Sequence, residues 1–216
     1  MTGPERTVYL DLDGTLLDIR SKYYTLYSRT VTELGAQPLS GDAFWELKRR
    51  AAPPECILPG LDAAGREEYS RRWLAAIETP AYTRLDTLLP GAREALADLR
   101  RRFSLVLAKM RHDEAVLAAD LRRLRVQGFF SRVVTAAGRP PGDTAKGELI
   151  RQHAPVNGGD GLVVGDSEAD VEAARELGLP SVCVLTGIRD LAFLETLRPD
   201  FIIDSVAQLP GLVRSI

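Results

Sequence analysis

Six short apolar runs alternating with helix-period stretches constrain this fold more than any other feature of the chain. The runs are Val8–Leu10, Ser104–Ala108, Arg132–Thr135, Leu162–Val164, Val182–Leu185 and Phe201–Ile203. Helical patterns lie between them. Pro90-Gly91 opens one that presents Ala95, Leu96 and Leu99, and Asp113 starts another with Val116, Leu117, Leu121 and Leu124 at helical spacing. Short buried strands separated by amphipathic helices predict an α/β fold, a mostly parallel, doubly wound sheet with helices on both faces.

The stretch from about Ile19 to Leu89 breaks the alternation. It has no convincing strand and reads as helices at Tyr23–Leu34, Gly41–Ala52 and Glu67–Glu78, punctuated by Pro38, Pro53-Pro54, Pro59-Gly60 and Pro80. The expected layout is therefore a core of 1–18 and 90–216 with a helical domain, 19–89, inserted after the first strand. Tyr23, Tyr24, Tyr27, Trp45 and Lys48 fit either that domain's own core or the wall of a pocket.

Two acidic loops carry the chemistry. The first strand runs into Asp11-Leu12-Asp13-Gly14-Thr15, and the run Gly161–Val164 opens into Gly165-Asp166-Ser167-Glu168-Ala169-Asp170. Paired carboxylates at a strand end are poor core material, because they repel each other and resist burial. A hard divalent cation such as Mg²⁺ resolves that conflict. Gly14 permits a sharp turn, and Thr15 is placed to cap or to hydrogen-bond inside the loop. A helix is expected after the second loop, with Val171, Ala174 and Leu177 on one face and Gly178 as its stop. Ligands of open α/β sheets bind at the carboxyl ends of strands, where Asp11 and Asp166 both fall.

The segments D-L-D-G-T and G-D-S-E-A-D resemble the first and fourth motifs of the haloacid dehalogenase superfamily, a Rossmann-like family composed mostly of Mg²⁺-dependent phosphatases. The match in order and strand placement covers nearly the whole chain, and the helical insertion resembles the family's cap. The resemblance implies hydrolysis of a small phosphorylated metabolite. Asp11 would be the nucleophile that forms an aspartyl-phosphate, and Asp13 the acid and base. The cation would be held by Asp11, Asp13 (through its carbonyl) and Asp166. Gly14 and Thr15 would lie against the substrate. Lys146, in Gly142-Asp143-Thr144-Ala145-Lys146, occupies the third-motif stretch, and Asp170 would orient it or simply cap a helix. The second motif departs from the pattern. Its Ser or Thr falls on Ala108, or on Lys109 if the register slips by one, so Ala108 and Lys109 are the candidate phosphate contacts. Sugar-phosphate mutase activity and a non-catalytic phosphate-binding role are the competing readings.

Composition narrows the field further. A formal charge of −2 over 216 residues does not point to nucleic acid. No apolar run approaches the length of a membrane helix, and Met1 to Arg6 lacks a signal-peptide apolar region. Cys56 and Cys183 fit no metal spacing, and Cys183 reads as a core thiol. His112 and His153 have no partner cluster and read as loop or surface residues. A soluble, reduced, cytoplasmic protein is expected.

Overall fold

A computed structural model of the chain describes residues 6–138, 145–154 and 161–215. The segment before Arg6 and residues Gly142, Asp143 and Thr144, both read above, lie outside the described residues.

Strand β1 (Thr7–Leu10) is buried along its whole length and delivers the chain to Asp11. A two-residue strand, β2 (Leu17–Asp18), leads into helices α1 (Arg20–Glu33), α2 (Gly41–Arg49), α3 (Pro54–Ile57), α4 (Ala63–Ala76) and α5 (Pro80–Thr83). The chain returns through β3 (Thr87–Leu88), which pairs antiparallel with β2, Leu17 against Leu88 and Asp18 against Thr87. Strand and helix then alternate as α6 (Ala92–Leu99), β4 (Ser104–Lys109), α7 (Glu114–Arg123), β5 (Arg132–Thr135), α8 (Lys146–His153), β6 (Gly161–Gly165), α9 (Glu168–Leu177), β7 (Ser181–Val184), α10 (Leu191–Leu197) and β8 (Phe201–Ile203).

The six long strands form one parallel sheet in the order β5-β4-β1-β6-β7-β8. The order reverses at β1, so the carboxyl ends of β4, β1 and β6 meet where such sheets place their ligands. Side-chain alternation covers both faces. Val8, Leu10, Leu105 and Leu107 pack with Leu96, Leu99, Leu117 and Leu121 on one side. Tyr9, Val106, Ala108 and Val163 pack with Leu149, Ile150, Ala173 and Ala174 on the other. Asp113 caps α7 by accepting the Val116 N–H at 2.9 Å, and Gly178 ends α9 in the left-handed region, φ 67°.

The helical insertion has its own aromatic core. Tyr27 stacks on Phe44 with centroids 4.1 Å apart, and Trp45 is buried beside them. Its details differ from the sequence reading, with α1 starting three residues before Tyr23 and α2 ending three residues before Ala52. Strand β3 falls in a stretch expected to hold none, because a two-residue ladder leaves no alternation to read. Helix α4 starts four residues early, since Asp62 caps it by accepting the Gly65 N–H at 2.8 Å. Pro54 and Pro80 each stand at the start of a short helix, where the missing N–H costs nothing. Cys183 is buried in β7 and Cys56 is exposed, and both are free. Among the described residues no helix is long and apolar enough to cross a membrane.

Candidate active site

The first acidic loop is set by backbone geometry. The Asp11 N–H donates to the Val164 carbonyl at 2.9 Å, which extends the β1–β6 ladder by one rung and brings Asp11 beside the second acidic loop. Gly14 turns the chain at φ 81°, and a Cβ there would stand 2.4 Å from Asp166 Oδ2 and 2.8 Å from Gly187 Cα. Only glycine satisfies both the conformation and the close approach. The Gly14 carbonyl accepts the Thr186 hydroxyl at 2.7 Å, and the Ile188 N–H donates to Asp166 Oδ2 at 2.7 Å. The loop after β7 therefore fixes both acidic loops at once.

Asp170 and Lys146 tie this arrangement together. One Asp170 oxygen accepts the N–H of Asp166 at 3.2 Å, the N–H of Ser167 at 3.1 Å and the Ser167 hydroxyl at 2.8 Å. The other accepts Lys146 Nζ at 2.5 Å, and the same ammonium donates to Asp11 Oδ1 at 2.6 Å. Lys146 is the first residue of α8 and is 5% exposed. Burial works against its charge, but Asp11 and Asp170 reverse that and raise its pKa above the ordinary lysine value.

Asp13 sits in a cage of cations. Arg111 donates to it at 2.7 Å, and the ammonium groups of Lys109 and Lys22 lie 3.3 and 3.5 Å away. Burial would raise the Asp13 pKa, yet Lys109, Lys22 and Arg111 outweigh it and hold the carboxyl well below its usual range. Lys109 also lies 3.5 Å from Asp11 Oδ2. Lys22 reaches on to Asp86 at 2.6 Å, while Arg111 bridges to Asp120 at 2.9 Å and to Asp86 at 3.4 Å. Burial pushes Asp86 up to about 6 against the pull of Lys22.

The cluster is anionic. Asp11, Asp13, Asp86, Asp120, Asp166 and Asp170 face Lys22, Lys109, Arg111 and Lys146, with Arg123 3.5 Å from Asp120 at the edge, an excess of one negative charge when all are ionised. The excess concentrates at Asp166, which no cation approaches within 4 Å among the described residues. Burial, and then the charges of Asp11 and Asp170, push it up to about 8. A buried carboxylate in that position takes up a proton or a metal ion. Among the described residues no three His, Cys, Asp or Glu side chains are placed to hold one metal ion together. Asp11 and Asp166 therefore need oxygen donors of another kind, such as the Asp13 carbonyl, to complete a cation shell.

The cleft itself measures about 160 Å³ and is bounded by Asp11, Asp13, Tyr23, Lys109, Lys146 and Asp166. Two expected residues lie elsewhere. The side chain of Ala108 is 1% exposed and packs in the apolar layer with Val134, Leu149 and Ile150. β4 extends one residue further than the sequence suggests, and the side chain of Lys109, the other candidate, borders the cleft. Thr15 is fully buried, and its hydroxyl has no hydrogen-bond partner among the described residues, so it does not line the cleft. His112 is half-buried outside the cleft, its N–H donating to Glu78 at 2.9 Å. His153 is exposed. Sequence reasoning missed Lys22, Asp86, Arg111 and Asp120. The only available signal was the basic pair Lys109 and Arg111 straddling a strand end.

Residues 5–178 match the family of haloacid dehalogenase-like hydrolases. The chain belongs to that family. This haloacid dehalogenase-like hydrolase is 30% identical over 224 residues to a phosphoglycolate phosphatase from Agrobacterium fabrum, an alignment covering 95% of this chain and 91% of that protein. It is 29% identical over 222 residues to a plasmid-encoded phosphoglycolate phosphatase from Cupriavidus necator, covering 97% and 94%. Its fold superposes on a haloacid dehalogenase-like family protein from Streptococcus pneumoniae with a TM-score of 0.76 at 20% identity, over 96% of this chain and 98% of that one. The hydrolase is a phosphatase-like member with a helical cap on a Rossmann-like core.

Proposed function

We propose that this hydrolase cleaves the phosphomonoester of a small phosphorylated metabolite, with Mg²⁺ as cofactor and Asp11 as nucleophile. The observation that carries the reading is the setting of Asp11. It stands at the end of β1 with Lys146 on one oxygen at 2.6 Å and Lys109 near the other at 3.5 Å, and Asp13 is two residues on. The ammonium groups orient the carboxylate and temper its repulsion of an anionic phosphate. Attack on phosphorus breaks the P–O bond to the alcohol and leaves an aspartyl-phosphate on Asp11, which water then hydrolyses. Asp13 serves as the proton carrier for the leaving oxygen and the attacking water. Asp170 holds Lys146 in place, and Lys109 takes the contact to a phosphoryl oxygen that a hydroxyl makes elsewhere in the family. We assign the cap to 19–89 and the core to 1–18 and 90–216.

The acceptor set fits a hard cation. Asp11, Asp166 and the Asp13 carbonyl would hold Mg²⁺, whose charge would offset the crowding of Asp11 and Asp170 around Asp166. When bound, it supplies electrostatic stabilisation of the phosphoryl oxygens.

The test is phosphate release from phosphoglycolate and other small phosphomonoesters. Activity is expected with Mg²⁺ and is expected to vanish on chelation and return on re-addition. Full activity in excess chelator would overturn the metal assignment. Lys109→Ala should then lower kcat/KM by roughly 10²–10³, the worth of one preorganised donor, and weaken inhibition by inorganic phosphate. Ala108→Ser, buried in the sheet layer, should alter stability and leave phosphate affinity unchanged.

A further inference from the structure

The loop between β7 and α10, residues 185–190, is held from two sides. Toward the core, the Thr186 hydroxyl donates to the Gly14 carbonyl at 2.7 Å, the Ile188 N–H donates to Asp166 Oδ2 at 2.7 Å, and Arg189 engages both Glu168 oxygens at 2.8 and 2.5 Å. Gly187 lies so close to Asp166 that a Cβ there would overlap the carboxylate. Among the described residues the Ile188 N–H is the only hydrogen-bond donor to that carboxylate. The place of this peptide therefore decides how Asp166 is aimed.

Toward the cap, the same loop is stapled to the carboxyl end of α2. One amino group of Arg49, Nη2, donates to the Leu185 carbonyl at 2.8 Å and to the Arg189 carbonyl at 3.2 Å. The exchange is mutual. The Asp190 N–H donates to the Arg49 carbonyl at 3.1 Å, and Arg189 Nη1 donates to the Lys48 carbonyl at 3.1 Å. Both carbonyls belong to the last turn of α2, where a helix leaves its acceptors without partners of its own.

Leu185 and Arg189 flank Thr186, Gly187 and Ile188, the three residues that meet the acidic loops. Arg49 thus grips both shoulders of the segment that presents the Ile188 N–H. Its planar, permanently charged guanidinium suits that task. Arg49 does not border the catalytic cleft.

We propose that Arg49 is a positioning residue for the cation site. From the cap it fixes the 185–190 loop, and through Ile188 the loop aims Asp166, so divalent-cation affinity depends on a side chain that supplies no ligand. This role rests on the reading of Asp166 as a cation ligand, and the experiment separates the two.

Removing Arg49 has two effects of opposite sign. Loss of a positive charge near an anionic site strengthens cation binding, whereas loss of positioning weakens it. Mg²⁺ is titrated into substrate-free protein and followed by calorimetry for wild type, Arg49→Met, Arg49→Lys and Arg50→Met, with thermal melts as the control for folding. Arg49→Met should bind Mg²⁺ about tenfold more weakly, the lower end of what groups that hold a metal's ligands contribute. Arg49→Lys keeps the charge on a shorter stem and should recover part of that loss. Arg50→Met removes the same charge from the next residue, an exposed side chain paired with Glu46 at 2.9 Å. It should leave Mg²⁺ affinity within about twofold. Phosphate release by Arg49→Met should fall at limiting Mg²⁺ and recover at saturating Mg²⁺, a rescue that general loosening of the fold would not allow. Wild-type or tighter Mg²⁺ binding by folded Arg49→Met overturns the proposal and leaves the cation reading standing. Equal weakening by Arg49→Met and Arg50→Met overturns it as well. Should Arg49→Met fail to fold, Arg49→Lys carries the test, and wild-type affinity in that variant overturns the proposal. A wild-type protein that binds no Mg²⁺ overturns the cation reading and the proposal with it.

Discussion

Asp11→Asn is expected to reduce phosphate release by roughly 10⁴–10⁶-fold, the range seen when a covalent catalytic group is removed. The loss should come through kcat, because the amide is nearly isosteric and the phosphate contacts around it remain. Folding should survive the change. Lys146 keeps Asp170 at 2.5 Å, and Lys109 keeps Asp13 at 3.3 Å, so neither ammonium is left without a carboxylate. Steady-state kinetics on purified protein, with circular dichroism as the control for folding, decides the matter. Residual activity within tenfold of wild type in a folded variant would remove Asp11 from the nucleophile's role.

The largest stability effect is expected at Arg111. This side chain is 2% exposed and its guanidinium contacts Asp13, Asp86 and Asp120. Arg111→Leu fills much of the volume but leaves three buried carboxylates short of a partner. Breaking a buried ion pair from one side costs about 3–5 kcal/mol. The lower end is expected, because Lys22 remains on Asp86 and Lys109 on Asp13. A chain of this size loses about 2–4 °C of Tm per kcal/mol, so the melting temperature should fall by roughly 6–12 °C. The pH dependence has a definite sign. In wild type Asp86 is already raised to about 6, so its ionisation at neutral pH weakens the fold relative to the unfolded chain. Removing Arg111 raises the carboxyl groups further, and the destabilised, ionised state is relieved as they protonate. The deficit of Arg111→Leu relative to wild type should therefore narrow as pH falls from 7 toward 5. A Tm change below about 2 °C at pH 7 would show that Arg111 is not the keystone of the cluster.

The contrast between Asp11 and Arg111 shows what one chain of letters displays and what it hides. Six parallel strands were readable within a residue or so, because each is a compact apolar run bounded by turn residues. Asp11 and Asp166 stood out because charge at the end of such a run is costly unless it has a use. Lys146 was placed by its position ahead of Asp166. The cation cage around Asp13 was not visible. Lys22 and Asp86 are 64 residues apart, and Arg111 and Asp13 are 98 apart. No local periodicity records a pairing over that distance, and each residue alone looks like a solvated charge. The choice between Ala108 and Lys109 stayed open in the sequence for a different reason. Strand ends are hard to read in a sequence, and alternation along β4 puts Ala108 in the core layer with Val106 and Lys109 at the cleft.

The β2–β3 ribbon makes the cap a cassette. Leu17 and Leu88 are partners in one ladder, and the Leu89 N–H donates to the Leu16 carbonyl at 2.9 Å. A polypeptide that leaves and rejoins the core at adjacent points can be swapped for another of different length with little change in the sheet below it. The transplant is not free, however. Lys22 and Asp86 travel with the cassette and pair with each other at 2.6 Å beside Asp13. A donor segment that supplies only one member of this pair would leave an unpaired charge beside Asp13 in the first acidic loop. Cap exchange in this chain is thus modular in its backbone and coupled in its electrostatics, and a successful graft has to carry both ends of that one ion pair.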